Sequence, residues 1–244
     1  MYDLFEYQKH EENISKKYFI WGNRKYSSKM ISVGNFLVDS SMKYSNYLEK
    51  KNYLLVLPVM SIYKRTLTLF SNESTLLTAR NIELFLNNLS YKIKNKIHIR
   101  THPQDERTDF SFLDLISLNK KLIKILDKGE KYTKISNNYS LAIFPYLSTE
   151  FLNSLTLDRP CLIYLNKIEL AKFKKDAREL LDELHSIGIV NFSGVSMAKN
   201  LKRISKDINK WWNDKKTIKI KKKFCYNYCN YNFDYKLIID ELKK

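Results

Sequence analysis

Two groups of residues in this sequence have the types and spacing to grip an anion. The first is Ile97-His98-Ile99-Arg100-Thr101-His102-Pro103, a strand candidate. Alternation puts His98, Arg100 and His102 on one face and Ile97 and Ile99 on the other. His102 is the last residue before a proline that ends the ladder, so its ring leaves the strand at the carboxyl end. A neutral imidazole donates one hydrogen bond to a phosphate oxygen, and protonation adds a charge. The plainer alternative is a structural or merely exposed histidine. The second group is Ser148-Thr149, where a short helix begins. Unpaired N–H groups and hydroxyls at a helix start suit an anion such as the phosphate of a nucleotide. Lys64 and Arg65 lie just past another strand end and can reach a phosphate, although two solvated surface charges fit them as well.

These groups need a scaffold, and the stretch from Tyr139 to Leu165 supplies its central unit. Leu141 to Phe144 is an apolar run too short for a helix, and Cys161 to Leu165 follows Pro160, which suits a strand start. Between them Phe151, Leu152 and Leu155 recur at helical spacing, predicting a helix of about three turns. Two buried strands joined by a crossover helix build a parallel sheet, and ligands bind such sheets at the carboxyl edge.

Other elements extend the pattern. Residues 2–15 read as a helix, Lys17 to Gly22 as an aromatic-rich strand, and Met30 to Val33 as a second short run closed by the Gly34-Asn35 turn. Tyr53 to Pro58 is an almost unbroken apolar run, as expected of a strand buried on both faces. A long connection carries Lys64 and Arg65 to a helix at about 78–95. A helix start at Leu113 to Ile116, a short strand at Leu122 to Leu126 and a short helix at Lys131 to Asn138 follow. Apolar spacing then predicts helices over 169–186 and 195–212, with a strand at Ile189 to Phe192 between them. Strands and helices thus alternate from 53 to 213, which calls for a Rossmann-like doubly wound parallel sheet in an α/β fold. We expect residues 1–52 to lead into this domain, 53–213 to form it, and 214–244 to be a basic tail with a short helix around Tyr235 to Leu242.

Composition narrows the function. A 244-residue chain that is 44% hydrophobic can bury one sizeable core. No run approaches the roughly 20 apolar residues of a membrane span and no signal peptide opens the chain, so a cytoplasmic protein is expected. Three cysteines make no disulfide framework, and Cys225 and Cys229 lack further ligands for zinc, so no metal site is expected. The net charge of +17 suggests a polyanion partner. Yet lysine far outnumbers arginine and no nucleic-acid motif is present, so nucleic acid is not expected as a partner. Peripheral contact with an acidic membrane surface is, through the lysines of 215–223. Gly-x-Gly-x-x-Gly, Walker, Gly-x-Ser-x-Gly and His-Glu-x-x-His motifs are absent, which disfavours dehydrogenases, P-loop enzymes, serine hydrolases and zincins.

Arg100-Thr101-His102-Pro103-Gln104-Asp105, with the later Ser148-Thr149 pair, resembles the His-Pro and Ser-Ser/Thr motifs of bacterial capsule glycosyltransferases that use CMP-activated sugars, the Kdo and sialic acid transferases among them. CDP-glycerol transferases share a similar arrangement. The chain is most similar to a family of surface-carbohydrate transferases. The likeness rests on the Tyr-x-x-Trp-Gly strand at Tyr18 to Gly22, the Gly34-Asn35 turn, and a helix carrying Thr149, Phe151, Leu152 and Leu155 that closes at Asp158-Arg159-Pro160. The resemblance implies the carboxyl-terminal, donor-binding domain of a GT-B enzyme. It implies His102 as the catalytic contact at the donor phosphates, with Arg100, Pro103, Lys64 and Arg65 around it. Ser148 and Thr149 fall at the phosphate or the helix start. Glu150 falls at the ribose hydroxyls, although a glutamate in a first helical turn also simply suits the helix dipole.

The partners implied are a nucleotide-activated sugar, CMP- or CDP-linked and a substrate rather than a cofactor, a glycan acceptor, and an upstream polypeptide carrying the amino-terminal domain. Alternatives are glycerophosphate transfer from a CDP-glycerol-type donor, and a non-catalytic basic module binding membrane or nucleic acid.

Overall fold

The computed structural model describes residues 8–38, 50–58, 72–102, 112–116, 123–126 and 132–243. Lys64, Arg65 and Pro103 lie outside the described residues. In chain order the elements begin with α1 (Gln8–Ile14), β1 (Tyr18–Ile20), β2 (Met30–Ser32), β3 (Tyr53–Val56), α2 (Asn72–Asn87), α3 (Tyr91–Lys94) and β4 (Ile97–Arg100). A 3-10 turn at Phe112–Leu115, β5 (Lys124–Ile125), α4 (Tyr132–Ile135), a 3-10 turn at Ser136–Asn138, β6 (Leu141–Phe144), α5 (Thr149–Thr156) and β7 (Cys161–Tyr164) follow. The chain continues through α6 (Lys167–Leu170), α7 (Lys175–Ser186), β8 (Val190–Asn191), α8 (Gly194–Ile204), α9 (Ile208–Trp212), α10 (Lys215–Tyr228) and α11 (Tyr235–Leu242).

Six strands form one parallel sheet in the order β5-β4-β3-β6-β7-β8. The chain starts at β3, builds outward through β4 and β5, then returns to the other flank of β3 and builds outward through β6, β7 and β8. This is the doubly wound α/β order with its reversal between β3 and β6. The central strands are apolar throughout because helices cover both faces: Leu54, Leu55, Ile143, Phe144, Leu162 and Ile163 are all fully buried. On one face α2 packs on α8, where Gly194 is required: a Cβ there would lie 1.9 Å from the Asn81 carbonyl oxygen.

β1 and β2 form a separate two-stranded parallel sheet. Its loops are stitched to the last part of the chain by backbone hydrogen bonds. Asn23 N–H donates to Tyr226 O at 2.9 Å, Asn35 N–H to Asn230 O at 2.9 Å, Asn230 N–H to Trp21 O at 3.1 Å and Asp234 N–H to Val33 O at 2.9 Å. Gly22 sits where a Cβ would fall 1.8 Å from the Asn227 carbonyl oxygen, so the backbones meet too closely for any side chain.

Several helices expected as single runs are divided, each by a local cap. The expected helix at 78–95 starts earlier, at Asn72, and ends at Asn87; Ser90, in extended backbone, starts α3. The predicted 169–186 helix splits at Lys174, whose backbone is also extended, with buried Phe173 plugged into the core. The 195–212 helix splits because the Asp207 carboxylate accepts from Lys210 N–H at 2.8 Å and restarts the helix as α9. The central helix is shorter than predicted, at 8 residues.

The run at 215–223 lies within helix α10, started by Asp214, whose carboxylate accepts from Lys216 N–H at 2.9 Å. Ile220, Phe224 and Tyr228 form its buried stripe. Two of the lysines expected at a membrane are engaged within the fold. Lys221 is buried, with its ammonium 2.7 Å from Asp158, 3.0 Å from the Trp212 carbonyl oxygen and over the Trp212 ring; Lys223 pairs with Glu183 at 2.5 Å. Among the described residues no helix is long and apolar enough to cross a membrane.

Candidate functional site

Parallel pairing brings the ends of β3, β4, β6 and β7 to one edge of the sheet. Adjacent strands lie about 4.8 Å apart, so the ends of β4 and β6, on either side of β3, are roughly 10 Å apart. In open α/β sheets a reversal of strand order is where a ligand crevice opens at the carboxyl edge, and here the order reverses between β3 and β6. β3 continues the ladder through Leu57, whose N–H donates to Arg100 O at 2.9 Å, and ends at buried Pro58.

The β4 side of the crevice carries Arg100, Thr101 and His102. Arg100 and Thr101 are buried and His102 is half-buried. The Thr101 hydroxyl, shielded from solvent, has no hydrogen-bond partner among the described residues. The alternation expected from sequence holds in burial only through Ile99: Ile97 and Ile99 are fully buried and His98 is partly covered, but Arg100, expected on the His98 face, is buried. His98 Nδ1 lies 3.0 Å from the Tyr139 hydroxyl, with the rings edge-on. Burial holds the His98 pKa below its usual value, and Lys124, its cross-strand partner on β5, lowers it further.

The β6 side carries the start of α5. Ser148 is its N-cap: extended backbone aims the hydroxyl at the Phe151 N–H, which donates at 3.1 Å. Its oxygen is therefore engaged with the helix, although its O–H remains able to donate. Thr149, in the first helical position and half-buried, makes no side-chain hydrogen bond among the described residues. Glu150 is the acidic residue of the first turn and is partly exposed. Its placement suits the helix dipole. His102 and the Ser148-Thr149 pair thus stand at the same sheet edge, on strands flanking β3.

A second carboxylate enters this edge that the sequence did not point to. Asn166 caps α6, accepting from Ile168 N–H at 3.0 Å. Three residues on, Glu169 is buried and accepts a short hydrogen bond from Ser74 in the first turn of α2. The Asn-x-x-Glu spacing is a helix-start signal and marks the beginning of α6. It does not reveal that Glu169 reaches across to α2, because that contact depends on β3 and β7 flanking β6. Burial, reinforced by the Glu169 charge, pushes the Tyr164 phenol up to about 12, so it stays protonated at neutral pH.

The closing turn after α5 is structural. Asp158 has a positive φ of 55°, and the Trp212 indole donates to its carbonyl oxygen at 2.9 Å. Arg159 is buried and donates to Ser136, and burial lowers its pKa. Behind the crevice, Asn35 donates to the Asn153 side-chain oxygen at 2.9 Å, and Thr156 donates to the Cys229 carbonyl at 2.9 Å, fixing α5 to the Gly-Asn turn and to the end of α10. Among the described residues no cluster of three metal-ligating side chains occurs.

The family model described as LIC12162 family transferase matches residues 3–241. No curated protein matches the sequence. Among solved structures, that of TarM is similar with a TM-score of 0.49 and 12% identity, over 98% of this chain and 45% of that chain. The chain therefore spans less than half the length of TarM.

Proposed function

The chain belongs to the LIC12162 family of transferases, and on that basis we propose that it binds a nucleotide-activated sugar, CMP-linked, and serves its transfer to a bacterial surface polysaccharide as the donor-binding part of a GT-B glycosyltransferase. The observation that carries this reading is the reversal of strand order between β3 and β6, with His102 on one flank and the Ser148-capped start of α5 on the other. A crevice of this kind accepts a nucleotide, and a helix start accepts its phosphate.

In this reading the bond between the anomeric carbon and the phosphate oxygen breaks, and the nucleotide leaves as an anion. His102 donates to a donor phosphate oxygen as charge builds there. The Thr149 hydroxyl and the first N–H groups of α5 donate to the same group, fixed dipoles aimed where the charge develops. Arg100 stands beside His102 in this role, and Lys64, Arg65 and Pro103 keep the donor-binding role that the resemblance implies. Glu150 accepts from the ribose hydroxyls. Activation and in-line placement of the acceptor hydroxyl fall to groups outside this donor-binding part.

Calorimetry with CMP and CDP on the wild type and on a His102→Ala variant tests the proposal. Loss of one charge-assisted hydrogen bond should weaken binding about tenfold. Indistinguishable heats would remove His102 from the site. Tighter binding of CDP-glycerol than of CMP would replace sugar transfer by glycerophosphate transfer.

A further inference from the structure

The edge of the sheet opposite the crevice carries a second feature. The amino ends of β4, β3 and β6 lie side by side there: Tyr53 N–H donates to Lys96 O at 2.8 Å, and Ser140 N–H donates to Asn52 O at 3.0 Å. Lys50, Lys51 and Lys96 are thereby gathered around a cavity of about 310 Å³, with the α8–α9 turn on its other wall. A second cavity of about 810 Å³ adjoins it, sharing Lys206 and Asp207, and adds Arg203, Lys210 and Lys216 to its walls. Together the two make a basic trough along the amino edge, with Lys206 and Asp207 common to both parts.

The charge balance of this trough is unusual. None of these lysines, nor Arg203, forms an ion pair among the described residues. Two carboxylates line it, and both are occupied as helix caps: Asp207 accepts from Lys210 N–H at 2.8 Å, and Asp214 from Lys216 N–H at 2.9 Å. Like charges concentrated in a concave surface raise the local potential and draw in a counter-ion of matching extent.

We infer that this trough is a docking site for an acidic polysaccharide chain. Its shape and lining favour that partner. The cations sit along the walls of a cleft, which a flexible chain can enter and a bilayer surface meets only at the rim. Asn200, Asn209 and Ser186 stand among the cations; Asn200 donates to Asn191, Asn209 accepts from Asn213 and Ser186 donates to the Glu183 carbonyl, which leaves the Asn200 oxygen, the Asn209 amide N–H groups and the Ser186 lone pairs for sugar hydroxyls. The Tyr and Trp rings of the lining, Tyr53 and Trp211, are only 3% and 8% exposed, and the exposed His185 ring packs against Phe192, so the lining offers no row of aromatic faces for the successive bases of a single-stranded nucleic acid. The inference rests on the amino edge alone and is independent of the nucleotide reading of the opposite edge.

The test uses a heparin fragment as the probe and two triple variants of equal charge change. Lys51→Glu/Lys206→Glu/Lys210→Glu reverses charge in the trough; Lys16→Glu/Lys25→Glu/Lys236→Glu reverses it at exposed positions elsewhere. Circular dichroism establishes that both fold. At about 50 mM salt the trough variant should bind at least about tenfold more weakly than the wild type, with a shallower salt dependence, while the control loses less than about threefold. Equal losses in the two variants, or no binding by the wild type, would overturn the inference. So would tighter binding of phosphatidylglycerol vesicles or oligothymidine than of heparin through the same residues, which would assign the trough to a membrane or a nucleic acid.

Discussion

Replacing Ser148 by alanine separates the architecture of the α5 start from its use as an anion site. In the wild type the Ser148 oxygen accepts from the Phe151 N–H at 3.1 Å, and both residues are buried, with Phe151 at 0% exposure. Alanine removes the acceptor and leaves the buried Phe151 N–H without its side-chain partner. Loss of an N-cap costs about 1 kcal/mol, and a buried N–H left without a partner costs about 1–3 kcal/mol. These describe the same missing bond, so the expected destabilisation is about 1–2 kcal/mol. With a denaturant slope of about 3 kcal/mol/M for a chain of this size, the urea midpoint should fall by about 0.5 M.

Ser148→Asn retains a capping oxygen and should recover most of the loss. Thr149→Val has the opposite signature: its hydroxyl bonds nothing among the described residues, so the midpoint should stay put while CMP binding weakens. Urea unfolding followed by tryptophan fluorescence, paired with calorimetry on each variant, measures both quantities. An unchanged midpoint in Ser148→Ala, or a Thr149→Val variant that loses stability and keeps full CMP affinity, would refute this division of labour.

Other perturbations have equally defined outcomes. His98 is held below its usual pKa by burial and then by Lys124; the unfolded chain therefore takes up a proton first. The stability His98 contributes is complete above about pH 6.5 and declines as the pH falls toward its folded value. The melting temperature of His98→Gln should accordingly fall less than that of the wild type between neutral and mildly acid pH; parallel curves would exclude this source of acid sensitivity. Lys221→Met keeps the buried stem and discards the charge. Because the Asp158 side chain is 67% exposed and can be rehydrated, the cost should stay near 1 kcal/mol, whereas Lys221→Ala adds a cavity and should cost about 2 kcal/mol or more by urea unfolding. Gly22→Ala drives a Cβ to 1.8 Å from the Asn227 carbonyl oxygen, so the amino-terminal sheet must separate from the end of α10. Limited proteolysis should then release residues near Tyr18 or Tyr226 faster than in the wild type, and an unchanged digest would contradict that packing.

The amino-acid sequence by itself determined the local elements whose signal is short-range. The unbroken apolar runs at Tyr53 and Leu141, the proline before Cys161 and the alternation around His98 each specify a buried strand, and α11 begins and ends at Tyr235 and Leu242 as its spacing predicts. Parallel strands joined by helices then follow, and with them a carboxyl edge shared by His102 and Ser148. The breaks at Ser90 and Lys174 were not legible, because apolar spacing runs through them and only backbone direction separates the pieces; at Asp207 the capping carboxylate was a sequence signal that the apolar spacing overrode.

The order of strands was left to the tertiary structure. Sequence alternation is the same whether β6 lies beside β5 or returns to β3, so the reversal that opens the crevice comes from how helices pack on both faces of the sheet. Glu169 meeting Ser74, Lys221 turning inward beneath Trp212, and the lysines before β3 and β4 converging with those of α9 are likewise long-range. Each joins residues far apart in the chain. The free energy that unites them is the burial of one core, which no window of sequence contains.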